Sequence, residues 1–142
     1  MTKVAPFFER ETLKKMGVRM KINQREMGWK YEKIAADYLC EKGYDILERN
    51  VYTPMGEIDI LAQKGGTLVF CEVKYRKDRI HGTPFAAVGW QKQRRICRSA
   101  LYIYATRGYS MDQDCRFDVI GICGEGNQQN LQHIENAFDY HV

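Results

Sequence analysis

Gly56-Glu57-Ile58-Asp59-Ile60-Leu61-Ala62-Gln63-Lys64-Gly65-Gly66-Thr67-Leu68-Val69-Phe70-Cys71-Glu72-Val73-Lys74-Tyr75 is the stretch on which the fold turns. Two strand-like runs, residues 57–63 and 67–75, flank Gly65-Gly66, and a glycine pair in that position signals a two-residue hairpin. Such a turn sets the register. With Lys64 opposite Thr67, Asp59 falls opposite Glu72 and Glu57 opposite Lys74. Opposed residues of an antiparallel pair share a face, with Cβ atoms about 5 Å apart. Two carboxylates that close repel unless a cation lies between them. A magnesium ion, with oxygens at about 2.1 Å and a preference for one or two carboxylates plus water and phosphate, suits such a pair. Lys74 lies two residues beyond Glu72 and points the same way, where its ammonium can contact an attacking water or a phosphate. The competing reading is an exposed charge ladder, with Glu57–Lys74 an ion pair worth about 0.2–1 kcal/mol. Ile58, Ile60, Val69, Cys71 and Val73 on one face and Leu61, Leu68 and Phe70 on the other predict that both faces are covered, which favours a working cluster.

Working outward, Thr53-Pro54-Met55-Gly56 reads as a turn and residues 44–51 as a preceding strand, so three strands form an antiparallel meander. Upstream, Asn23 with Glu26 resembles a capping pair, and Met27, Tyr31, Ile34, Ala35, Tyr38 and Leu39 recur at helical spacing as far as Gly43. Glu32 shares a face of this helix with Gly28, Ala35 and Ala36, small residues that let a helix lie close to a sheet and bring Glu32 to the strand cluster. Downstream, residues 76–82 read as a polar loop. Thr83 then caps a long helix with Pro84 at its first position and Gly108 beyond its end. Its apolar stripe is Val88, Ile96, Leu101, Ile103 and Tyr104. A strand over residues 115–122 and a weak fifth segment near 131–134 complete an αβββαβ order.

With 142 residues, 44% hydrophobic and 28% charged, the chain reads as one globular domain over residues 23–142, preceded by a basic arm over 1–22 expected to be mobile. The arm's Lys3, Arg10, Lys14, Lys15, Arg19 and Lys21, against Glu9 and Glu11, account for the whole formal charge of +4. Within the neutral remainder, residues 73–98 form a basic island: Lys74, Arg76, Lys77, Arg79, Lys92, Arg94, Arg95 and Arg98 against Asp78 alone. Clustered cations suit a polyphosphate partner, because each neutralised phosphate releases counterions; a solvated helix face is the alternative. No apolar run approaches the length of a membrane span, and the N-terminus lacks a signal-peptide core, so no membrane association and a cytoplasmic location are expected. Cys40, Cys71, Cys97, Cys115 and Cys123 are odd in number and widely spaced, which predicts reduced thiols. His81, His133 and His141 read as loop or surface residues, and Trp90, Tyr102, Tyr104 and Tyr109 as helix core rather than base-stacking groups. Gly65-Gly66 joins strand to strand, so no phosphate-binding loop of a nucleotide-driven motor is present.

The motifs Gly28-x-x-x-Glu32-x-x-Ala35-x-x-Tyr38-Leu39, Gly43-Tyr44, Arg49-Asn50, Gly56-Glu57-Ile58-Asp59, Val69-Phe70-Cys71-Glu72-Val73-Lys74-Tyr75-Arg76, Lys92 and Arg116-Phe117-Asp118-Val119-Ile120 together resemble the bacterial YraN-like family. That family is similar to the PD-(D/E)xK nucleases, with a likeness to archaeal Holliday-junction resolvases. The resemblance implies an α/β restriction-endonuclease-like fold of three layers, a central mixed sheet flanked by helices. It implies Asp59, Glu72 and Glu32 as metal ligands, Lys74 as the catalytic lysine and Lys92 as a further polar residue of the site, with Mg²⁺ as cofactor and Mn²⁺ as a substitute. Arg76, Lys77, Arg79, Arg94, Arg95 and Arg98 are the candidate contacts to nucleic acid. The expected function is a metal-dependent endonuclease hydrolysing phosphodiester bonds in DNA, with branched or structured DNA among its candidate substrates and a homodimer among its candidate assemblies. Two alternatives stay open: a non-catalytic nucleic-acid-binding module on the same fold, and an interaction protein whose basic arm docks acidic partners.

Overall fold

The computed structural model describes residues 22–77 and 87–141; the basic arm before Ile22, Arg79, His81 and the expected cap Thr83-Pro84 lie outside the described residues. Helix α1 spans Ile22–Glu41, followed by β1 (Asp45–Thr53), β2 (Gly56–Lys64), β3 (Thr67–Arg76), helix α2 (Trp90–Arg107), β4 (Cys115–Cys123), a 3₁₀ turn at Gly126–Gln128 and β5 (Asn130–Phe138). The strands form one sheet in the order β1-β2-β3-β4-β5. It is mixed: only the β3–β4 pair is parallel. A parallel neighbour needs a crossover, and α2 lies in that crossover between β3 and β4.

Both helices stop where the glycines direct. Gly43 adopts φ +88° and Tyr44 N–H reaches back to Leu39 O at 2.9 Å; Gly108 adopts φ +72° and Tyr109 N–H reaches Tyr104 O at 3.0 Å. Their starts differ from expectation. α1 already includes Ile22, so Asn23 lies inside it rather than capping it. α2 begins at Trp90 with extended Gly89 as its N-cap, and residues 87–89 are not helical, so the helix does not run on from Pro84. Ala87 O is instead taken by the Lys74 ammonium and Val88 O by Gln93 Nε2.

The helices cover opposite faces. Against α1 lie Ile60, Ala62, Val69, Cys71, Ile120 and Ile122, meeting Tyr31, Ala35, Ala36 and Leu39. Against α2 lie Leu61, Leu68, Phe70, Phe117 and Val119, meeting Ile96, Cys97, Ala100, Ile103 and Tyr104. Strand alternation thus divides the core into two clusters, giving a three-layer α/β/α sandwich. Leu101, expected in the stripe, is 42% exposed, and Cys97 and Ser99 are buried instead. Trp90 is not core either: it is 64% exposed and stacks on His141 with ring centroids 3.9 Å apart.

His133 is also not a surface residue. It belongs to a buried polar knot around Asp118, whose oxygens accept from Arg116 Nε at 3.0 Å and from the Asn136 backbone N–H at 3.0 Å and lie 2.8 Å from His133 Nε2. Burial alone would push the Asp118 pKa up; these partners outweigh it and hold the carboxyl below its usual value. The β4–β5 register shifts at this point, with Asn136 at φ +50°, which turns its N–H toward Asp118. All five cysteines are free thiols.

Candidate active site

The hairpin register holds from Lys64↔Thr67 to Ile60↔Cys71, with Gly65 at φ +60° supplying the left-handed turn residue. Beyond Cys71 the paired register ends. From Gly56 to Ile58 strand β2 pairs with β1, and from Glu72 to Arg76 strand β3 pairs with β4, so the two middle strands part as a fork. Asp59 fills the opening, its Oδ2 accepting the Val73 backbone N–H at 2.8 Å. The Glu57–Lys74 pair expected from an unbroken ladder therefore does not form as a rung: Glu57 pairs with Tyr52, and Lys74 lies alongside Gly121.

A second irregularity sits beside Asp59. Between the Arg49–Ile60 and Val51–Ile58 pairs, Asn50 takes φ +53°, and the strands turn over there. Ile58 consequently joins the α2-side cluster with Val51 and Leu61, not the α1-side cluster of Ile60 as alternation predicts. The same turn brings Glu57 round to Glu32 on α1 and to Asp59: ligand oxygens of Glu32, Glu57 and Asp59 all lie within 4.8 Å of one another. From the sequence Glu57 reads as one partner of a surface ion pair, which conceals its place among these acids. The available signal was Asn50, a residue poor in strands and tolerant of left-handed backbone, inside an apolar strand run.

Four expected site residues line one open pocket of about 390 Å³: Glu32 from α1, Asp59 from β2, Glu72 from β3 and Lys92 from α2, with Gly28, Tyr31, Val73 and Tyr75 completing it. Glu72 is buried, ion-paired to the Lys92 ammonium and hydrogen-bonded through its carboxyl to Asp59. Lys74 stands next to the pocket rather than in its lining. Burial and the Lys92 charge lower its pKa, and Glu72 opposes them. Arg49, with Nη2 4.0 Å from Glu32 Oε2 and its guanidinium 5.2 Å from the Trp29 ring, closes the α1 side. Of the basic island, Arg76 and Lys77 at the end of β3 and Arg95 and Arg98 on α2 are exposed, while Arg94 is half-buried.

The electrostatics follow from crowding acids. Burial first, then the charges of Glu72 and Glu32, push the Asp59 pKa up to about 8, against the pull of the Val73 N–H. Burial also raises Glu32, opposed by a hydrogen bond from Asn50 and the charge of Arg49 and reinforced by Glu57 and Glu72. Glu32 Oε2 is buried without a hydrogen-bond partner. A site that retains a proton on Asp59 near neutrality, with oxygens this close together, has the donor chemistry of a divalent-cation site of the Mg²⁺ or Ca²⁺ kind. The residues fit such an ion.

Residues 31–122 match the uncharacterised protein family UPF0102, and this span holds every acidic and lysine residue of the pocket. The chain belongs to the UPF0102 family. It is 44% identical over 113 residues to the UPF0102 protein of Thermodesulfovibrio yellowstonii, covering 80% of this chain and 96% of that one. It is 45% identical over 115 residues to that of Symbiobacterium thermophilum, covering 80% and 97%. Among solved structures, Pyrococcus furiosus SfsA in complex with Ca²⁺ is similar over 80% of this chain and 64% of its own, at 15% identity and a TM-score of 0.36, a likeness too slight to bear on the site. In this UPF0102 chain no described helix is long and apolar enough to cross a membrane.

Proposed function

We propose that this chain is a metal-dependent endonuclease of the PD-(D/E)xK type that hydrolyses phosphodiester bonds in DNA. The observation that carries the reading is the meeting of Glu32, Asp59, Glu72 and Lys92 in one pocket at the fork of β2 and β3, with Lys74 beside it. Glu32, Asp59 and Glu72, with Glu57 as an added oxygen donor, would hold the divalent ion. Bound there, the ion supplies Lewis-acid polarisation of a phosphate and a lowered pKa for water.

The remaining work falls to the chain's own groups. Lys74 sits close enough to Glu72 and Lys92 for their charges to act on its pKa, and its ammonium can meet charge that develops on the phosphoryl oxygens. Lys92 pairs its ammonium with the buried Glu72 carboxylate and holds that side chain in the pocket. The Val73 N–H and the Asn50 side chain orient Asp59 and Glu32 respectively. Arg76, Lys77, Arg79, Arg94, Arg95 and Arg98 would bind the flanking phosphates.

The test is cleavage of linear, flapped, single-stranded and four-way DNA with Mg²⁺ or Mn²⁺, against EDTA. Metal-dependent cutting of at least one substrate, abolished by Glu72→Gln, is expected. Tight DNA binding with no cutting under either metal would replace this reading with the binding module.

A further inference from the structure

The pocket has a wall that cation binding and phosphate chemistry leave unexplained. Tyr31 on α1 and Tyr75 on β3 stack with ring centroids 3.6 Å apart and planes 11° from parallel, and both border the same pocket as Glu32, Asp59, Glu72 and Lys92. Tyr31 is 3% exposed and gives the Tyr75 ring a rigid backing; Tyr75 keeps part of its surface accessible. A flat aromatic ring held in place beside an acidic and lysine cluster combines an apolar stacking surface with a place for a phosphate. At about 390 Å³ the pocket is near the small end of ligand sites, with room for one base and its sugar but not for a base pair with both backbones.

We infer that the pocket takes a single unpaired nucleotide of a DNA strand, its base stacked on Tyr75 and its phosphate at the acidic and lysine cluster. The inference rests on the nuclease reading for the identity of the occupant, and deepens it by naming the substrate class: DNA with an unpaired or extruded nucleotide at the scissile position, not continuous duplex. The stacking surface is indifferent to base identity, since every base has a π-face, so little sequence preference accompanies it.

The probe is a DNA oligonucleotide carrying 2-aminopurine, either single-stranded, in a flap next to a duplex, or fully paired. It is titrated with the full chain in Ca²⁺ and, separately, with Glu72→Gln in Mg²⁺. Fluorescence quenching and tighter binding are expected for the unpaired probes. Tyr75→Leu should weaken those by about tenfold while leaving paired DNA unchanged, and Tyr75→Phe should behave as wild type. Tyr75→Trp, whose own emission a stacked base would quench, tests the contact if the leucine variant fails to fold. Equal affinity of wild type for paired and unpaired probes, or unpaired binding unaffected by Tyr75→Leu, overturns the inference. The two readings fail separately. Stacking without cleavage by either metal retains the pocket and removes the nuclease; cutting of continuous duplex without preference does the reverse.

Discussion

Asp59 Oδ2 accepts the Val73 backbone N–H at 2.8 Å where β2 and β3 part, so a side chain replaces the next rung of the sheet. The exchange costs little backbone hydrogen bonding, because the freed N–H is still satisfied, and it opens the sheet enough to seat a cluster of acids. The carboxyl that stabilises the fork is also the one most in need of a cation.

That double role makes stability pH-dependent. The folded-state pKa of Asp59 is about 8 against an ordinary 3.8, so the metal-free fold binds an extra proton between those values; its stability is fully present below the lower value and lost as pH rises through the upper one. Glu32, also raised, acts in the same direction. Asp118, held below its usual value, contributes stability that is lost only as pH falls below the ordinary carboxylate range. Thermal melts in EDTA should therefore show Tm falling from pH 5 to pH 9. Mn²⁺ should restore more at the alkaline end, and Asp59→Asn should flatten both trends. A Tm that rises across that range contradicts the crowded-acid account.

Glu72 and Lys74 should separate binding from chemistry. Glu72→Gln keeps the size but removes the charge, so cleavage should vanish and Mg²⁺ binding weaken while DNA binding persists or tightens. Lys74→Met should leave fold and metal affinity intact and lower the rate by about 10²-fold or more. Calorimetry with metal and single-turnover cleavage read the two effects independently; wild-type rates for both variants would locate the activity elsewhere.

For the exposed cations the expectation is uniform weakening. Alanine at Arg76, Lys77, Arg95 and Arg98 should lower affinity alike for unrelated DNA sequences. The slope of log K against log salt should flatten by about 0.9 per lost phosphate contact on duplex. An unchanged slope would leave these residues a solvated face.

Asn50 offers a backbone test. Asn50→Gly keeps the left-handed conformation but loses the hydrogen bond to Glu32, whereas Asn50→Ala adds about 1–2 kcal/mol of backbone strain as well. Chemical denaturation should rank wild type above glycine above alanine, and Mn²⁺ affinity should fall in both variants. If the alanine variant were as stable as wild type, the turn at Asn50 would not be under constraint.

Asp118 predicts a loss of stability without a loss of metal. Asp118→Ala leaves Arg116 and the nearly buried His133 without their carboxylate, which should cost about 3–5 kcal/mol. The folded fraction should still bind Mn²⁺ normally, since none of these three residues lines the pocket. Reduced metal affinity in folded protein would instead couple this knot to the site.

Local rules decided much of this molecule. The glycine pair after Lys64 determined the hairpin register as far as Ile60 and Cys71, and Gly43 and Gly108 ended both helices, because turns and left-handed caps depend on a few adjacent residues. The small residues Ala35 and Ala36 allowed α1 to pack closely, and that brought Glu32 to the sheet. The rest depended on segments far apart in the chain coming together. Reading faces by alternation assumes unbroken strands, and the turn at Asn50 moved Ile58 to the other cluster and Glu57 into the acids. Nothing near Asp59 in the chain announces that its carboxylate will take the Val73 N–H, since that partner arrives only when β3 folds back. His133 likewise becomes a buried partner of Asp118 only once β5 docks on β4. Register and caps are encoded within a few residues, whereas a fork or a buried ion knot is stable only through contacts that distant segments make together.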